Sequence, residues 1–261
     1  MTHVGELLSL SGVCKSYQRG DRCVRVLTDV DLAVRAKEIV AVVGSRDEGK
    51  TTLLQIAAGL QKPDRGEVWL GDVELTACSD EERVELLGHE IAWVHREGTG
   101  LDFKMLEYVA LPLTMGRRHG KRQAQRLAME ALERVGAQEC AGLRWGGLSN
   151  WERVLVGFAR GIVRKPRLMV VDDVIDGFGM SKTREAGELM LSFVGDLGCG
   201  VLMSASDLEA ALIADRVLCF DGLGLKAMSN EADGADAEVI DLHDGGRQHR
   251  RGPRGARSQG A

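Results

Sequence analysis

The feature that most constrains this chain is Gly44-Ser45-Arg46-Asp47-Glu48-Gly49-Lys50-Thr51-Thr52, set directly behind Ile39-Val40-Ala41-Val42-Val43. A continuous, mostly β-branched apolar run, with charge before it and glycine after it, predicts a fully buried central strand. A helix is predicted from Lys50 to about Ala58. G-x-x-x-x-G-K-[ST] between such a strand and helix is the context a phosphate-binding loop requires. Its glycines let the backbone wrap closely enough for successive N–H groups to face phosphate oxygens, and the helix offers its positive end to the same anion. Lys50 is placed for the β- and γ-phosphates and Thr51 to ligate Mg²⁺.

Far downstream, Leu168-Met169-Val170-Val171-Asp172-Asp173 reads as a second buried strand ending in paired carboxylates. Such a pair alone says little. Together with the loop it gives Asp172 as a Mg²⁺ group and Asp173 as the residue that positions an attacking water.

The remaining pattern supports an α/β domain. Residues 7–34 alternate around polar turns and predict short antiparallel strands, and 67–75 a strand and turn. Helical character is predicted over 80–87 and 102–141, where the basic run 117–122 leads into Leu127, Met129, Leu132 and Val135. Helices at 150–163 and 184–194 flank strands at 168–171 and 201–203, which predicts a mostly parallel sheet covered on both faces. Order is expected to decay beyond Asp221, and 229–261, acidic and then Gly/Arg-rich, reads as a disordered tail.

Composition narrows the function classes. Six cysteines without a C-x-x-C pair argue against a zinc ribbon or a disulfide framework. A net charge of -5 argues against a general nucleic-acid binder, so no specific nucleic acid is expected as a partner. No apolar run approaches the ~20 residues of a membrane span, and the N-terminus lacks signal-peptide character. Any membrane connection is therefore expected through a partner.

These motifs, in this order, resemble the ATP-binding subunits of ABC transporters, especially the branch serving lipoprotein release and macrolide export. The likeness covers about 7–225 and also rests on Tyr17 in VCKSYQRG and on Gly59-Leu60-Gln61-Lys62-Pro63-Asp64-Arg65-Gly66-Glu67-Val68. Val109-Ala110-Leu111-Pro112-Leu113, Leu148-Ser149 leading to Ala159-Arg160, and Ala214-Asp215-Arg216-Val217-Leu218 extend it. The resemblance implies an α/β, P-loop NTPase fold of ABC type, with a mostly parallel core sheet, an N-terminal antiparallel β subdomain and an inserted helical subdomain at about 102–147. The ATP-binding domain would span 1–228. Tyr17 would stack on adenine, residues 44–52 would cradle the phosphates, and Ser149 would serve ATP across a sandwich dimer.

Five motifs depart from the family. The signature LSGG[QE] reads Leu148-Ser149-Asn150-Trp151-Glu152, which puts a large side chain where the family has none. Arg96 stands for the glutamine of the Q-loop, Asp173 for the catalytic glutamate, Ser206 for the switch histidine and Gly179 for the dimer-contact aspartate. Binding groups are kept while water-activating and cross-dimer groups are altered. Arg96 is open to two readings, an arginine-finger-like group or a solvent-facing or salt-bridged arginine. The function implied is an ATP-binding subunit, homodimeric or heterodimeric with another ABC ATPase subunit. It would couple ATP binding, with slow hydrolysis in addition or none, to a separate membrane permease at the inner face of the cell membrane. The alternative is a non-hydrolysing, ATP-sensing or scaffolding pseudo-ATPase.

Overall fold

The computed structural model describes residues 5–96, 102–115 and 119–228. The expectation of a disordered tail over 229–261, and the start of the basic run at 117–118, lie outside the described residues.

The chain opens with β1 (Glu6–Arg19) and β2 (Arg22–Arg35), an antiparallel pair turning at Gly20-Asp21. These are two 14-residue strands rather than the short ones the alternation predicts. Register shifts around Leu10, Val13 and Lys15 break the period of two along β1, so the sequence reads as fragments although the pairing continues. With β4 (Arg65–Leu70) and β5 (Val73–Glu74) they form a sheet ordered β2-β1-β4-β5. β4 lies close against β1, where a Cβ on Gly66 would stand 2.5 Å from the Gly12 carbonyl oxygen.

The second sheet is built on β3 (Ile39–Val43), β6 (Ile91–His95), β7 (Leu168–Asp172), β8 (Gly200–Ala205), β9 (Arg216–Asp221) and β10 (Gly224–Ala227). Its order is β10-β9-β3-β8-β7-β6, parallel except for β10. β6 and β9 carry no prediction of their own. β10 corrects the expectation that order decays after Asp221: Gly222, at φ 66°, turns the chain back so that Gly224 pairs with Asp221.

Both faces of the parallel sheet are covered, and its strands divide between two cores by alternation. Ile39, Ala41 and Val43 face the core made with α3 (Met105–Met115), α4 (Lys121–Arg134), α5 (Asn150–Ile162) and α6 (Met180–Leu197). Val40 and Val42 face the antiparallel sheet and α1 (Lys50–Ala57). The short α2 (Asp80–His89) precedes β6 and starts with a capping box between Ser79 and Glu82. A central strand buried on both sides explains why Ile39–Val43 has no polar residue.

Two sequence motifs act as clips. The Asp215 carboxylate accepts the Ile39 N–H at 2.8 Å, and Arg216 pairs with Glu38 at 3.0 Å, so the turn before β9 fixes the start of β3. The Asp64 carboxylate accepts the Ser16 N–H at 2.7 Å and the Lys15 ammonium at 3.0 Å. That second clip sets β1 at the residue before Tyr17.

Candidate functional site

The loop between β3 and α1 has the form its sequence predicts. Gly49, at φ 104°, takes a left-handed conformation, and a Cβ there would lie 2.7 Å from a Val26 methyl. Asp47 takes φ 67° without being glycine. The Lys50 ammonium folds onto the loop's own carbonyls, donating to Gly44 and, at 2.8 Å, to Ser45. The Glu48 carboxylate accepts the Ser45 N–H at 2.6 Å.

This loop forms one wall of a cavity of about 670 Å³. Ser45, Arg46, Asp47, Gly49, Lys50, Thr51 and Thr52 line that wall; Gly44 and Glu48 belong to the loop but not to the lining. Tyr17 also lines the cavity, half-buried in β1, its hydroxyl donating to Gln61 at 2.8 Å and lying 3.3 Å from the Thr52 hydroxyl. The ring is thereby held against the mouth of the loop. Asp172 and Asp173 at the end of β7, with Arg96, Asp176 and Ser206, line the cavity as well.

Asp172 is buried at 7% exposure, and its Oδ1 accepts the Ser204 hydroxyl at 3.0 Å. Ser204 in turn accepts the Asp173 N–H at 2.8 Å, which supports Asp173 at φ 52°. Although Asp173 reaches solvent, its carboxyl is pushed above the ordinary 3.8, chiefly by desolvation, then by a hydrogen bond with Asp176 and by that residue's charge. The Arg96 charge opposes this and Asp172 adds to it. The Thr51 hydroxyl and the Asp172 carboxylate share the cavity, a hard-oxygen donor set suited to Mg²⁺ with room for water and phosphate oxygens.

Arg96 lines the cavity and is held by the loop after β7. Its Nη2 donates to the backbone carbonyls of Asp176 and, at 3.4 Å, Val174, and its guanidinium lies 5.4 Å from the Phe178 ring centroid. Ser206 donates its N–H to Asp176 Oδ1 at 3.3 Å.

Ser149 is not on this cavity. It caps α5, its hydroxyl accepting the Glu152 N–H at 3.3 Å and its own N–H donating to Glu152 at 2.7 Å. Trp151 folds back on its own chain. Its Nε1 donates to Glu185 at 3.2 Å, its ring meets Phe178 edge-on at 5.5 Å, and Lys182 sits 4.5 Å above it. Asp176 and Ser204 were not singled out from sequence; a short polar residue at a strand end or in a loop carries no signal until the fold brings it to the cavity.

A second, smaller groove of about 360 Å³ lies between the helices. His89, Pro112, Leu113, Leu127, Val163 and Arg164 line it, giving an apolar floor with a basic edge.

A family model described as ABC transporter matches residues 27–176. The lipoprotein-releasing system ATP-binding protein LolD of Pseudomonas fluorescens is 34% identical over 213 residues, 81% of this chain and 93% of that protein. LolD of Psychrobacter arcticus is 32% identical over the same share of this chain and 94% of its own length. Among solved structures, the dimeric ATP-binding cassette MJ0796 in a post-hydrolysis state with ADP and Pi superposes with a TM-score of 0.79 at 22% identity. That match covers 86% of this chain and all of the cassette. CbiO1 of Clostridium perfringens, part of the ABC transporter complex cbiONQ, matches with a TM-score of 0.73 at 18% identity over 85% of this chain and 87% of its own. At these identities the solved structures establish the fold.

Proposed function

Because this chain belongs to the ABC transporter ATP-binding family, we propose that it is the subunit that couples Mg-ATP binding to movement of a separate membrane permease. The observation that carries this reading is the single cavity joining Tyr17, the loop with Lys50 and Thr51, and the Asp172–Asp173 pair. Its volume is that of a small-molecule site. Adenine stacks on Tyr17. The phosphates enter the loop, where Lys50 exchanges its carbonyl partners for the β- and γ-phosphate oxygens. Thr51 and Asp172 would hold Mg²⁺, which would neutralise phosphate charge. Asp173 lines the same cavity and would position water at the terminal phosphate.

Two further features support a place in a larger assembly. Ser149 and the N-terminus of α5 lie away from this chain's own cavity, as a group that serves a dimer partner's ATP must. Trp151, turned onto Phe178 and Glu185, leaves the Ser149 cap intact. The apolar groove between α2, α3, α4 and α5 suits a short helix of a permease, which would place this subunit at the inner membrane face. No helix among the described residues is long and apolar enough to cross a membrane itself.

Mg-ATP affinity of the purified chain tests the proposal. Lys50→Ala is expected to abolish binding, and Asp172→Asn to remove its Mg²⁺ dependence. Equal affinity in wild type and Lys50→Ala would place nucleotide elsewhere and sink the reading.

A further inference from the structure

No residue of Gly59-Leu60-Gln61-Lys62-Pro63-Asp64 lines the cavity, but this segment grips Tyr17, which does. Helix α1 starts at Lys50 in the phosphate loop. Its far end closes at Gly59, φ 70°, where the Gln55 carbonyl accepts the N–H groups of Leu60 at 2.8 Å and Gln61 at 3.2 Å. The backbone of Gln61 is thereby fixed to the helix that carries Lys50, Thr51 and Thr52. From there Gln61 Oε1 accepts the Tyr17 hydroxyl proton at 2.8 Å. A phenol has one proton to give, so the Thr52 hydroxyl, 3.3 Å away, is left to donate to the Tyr17 oxygen. Two residues from opposite ends of α1 therefore hold one phenol oxygen. The same segment also secures the ring from the strand side. Lys15 donates to the Lys62 carbonyl at 2.9 Å and the Asp64 carboxylate at 3.0 Å, which leaves its ammonium 5.7 Å from the Tyr17 ring centroid. The Asp64 N–H donates to the Cys14 carbonyl at 2.9 Å.

We infer that Gln61 is a positioning residue for the nucleotide base. A base stacks by overlap of faces, and a ring immobilised before the ligand arrives removes that ordering cost from binding. With Lys15 over one face of Tyr17, the other is kept for the base. Because Gln61 and the phosphate loop share α1, the ring is set at a fixed distance from the phosphates, which favours ligands that carry an aromatic base over bare polyphosphate. This inference deepens the reading of the cavity as an ATP site and rests on it.

The test is Mg-ATP affinity of the full chain by titration calorimetry, beside inorganic tripolyphosphate as a ligand with phosphates and no base, for wild type, Gln61→Leu, Tyr17→Phe and the double variant. Leucine keeps bulk without an acceptor, and phenylalanine keeps the ring without its hydroxyl. Gln61→Leu is expected to weaken ATP binding roughly three- to tenfold and Tyr17→Phe at least as much. The double variant should bind no more weakly than Tyr17→Phe, since both side chains act through one hydrogen bond. Tripolyphosphate affinity should stay within about twofold throughout. The inference is overturned by unchanged ATP affinity in Gln61→Leu, by losses that multiply in the double variant, or by an equal loss of ATP and tripolyphosphate in Gln61→Leu, the mark of a damaged phosphate loop. Wild type that binds ATP no tighter than tripolyphosphate overturns the base-holding role and leaves the phosphate site standing. Wild type that binds neither overturns both.

Discussion

Ser204 shows how much one buried hydroxyl organises. At 3% exposure it donates to the Asp172 carboxylate and accepts the Asp173 N–H, joining both acids to the end of β8. Ser204→Ala leaves a buried carboxylate oxygen and an amide without this partner, and is expected to cost about 1–3 kcal/mol. Urea unfolding would show the loss, and Mg-ATP affinity should fall with it. Unchanged stability would mean that water or a shifted loop replaces the hydroxyl. Arg96 illustrates the opposite limit of legibility: its substitution for glutamine is evident in the sequence, but its partners, the Asp176 and Val174 carbonyls and the Phe178 ring, lie about eighty residues away.

Among the elements, β4 and its preceding turn set the geometry of β1 and hence of Tyr17. Gly66, at φ 91°, has no room for a methyl group against the Gly12 carbonyl. Gly66→Ala combines backbone strain with a main-chain clash and is expected to destabilise by about 3 kcal/mol. A shift below about 1 kcal/mol in chemical denaturation would show that β1 can move away freely. Asp64 gives a pH-dependent test of the same joint. Its hydrogen bond from Lys15 leads the causes that hold its carboxyl below the usual 3.8, with the Ser16 amide and hydroxyl adding to it against desolvation. A depressed native pKa contributes stability above the unfolded value, lost as pH falls through the native one. The stability gap between wild type and Asp64→Asn should therefore be full at neutral pH and shrink on acidification below about 4. A gap constant down to strongly acid pH would contradict this.

Across the whole molecule, two cores share the parallel sheet, and buried thiols report on one of them. Desolvation raises both Cys199 and Cys140 from 9.0 to about 11, with Glu152 adding to the shift at Cys140. A raised native pKa means that the folded state holds the proton more tightly. Its contribution is full below the unfolded value and is lost as pH rises towards the native one. Stability is expected to fall between about pH 9 and 11, and less so in Cys199→Ala. Under native conditions a maleimide should label exposed Cys23 well before Cys140 or Cys199. Early labelling of the buried pair would indicate local opening of the helical layer.

The sequence alone determined what depends on short-range pattern. Five apolar residues at 39–43 followed by Gly-x-x-x-x-Gly-Lys-Thr could only be a buried strand, a close-wrapped loop and a helix start. The helices α1 and α5 and the strand β7 were legible for the same reason. The fold decided what depends on convergence. β6 became a strand by pairing with β7, β10 by turning back on β9, and the bulged β1 by running continuously between β2 and β4. The Arg96–Asp176–Ser206 cluster, the Ser204 bridge and the rotation of Trp151 onto Glu185 are likewise products of packing. Each joins groups remote in sequence, and a local pattern cannot encode a distance that exists only after the sheet has closed.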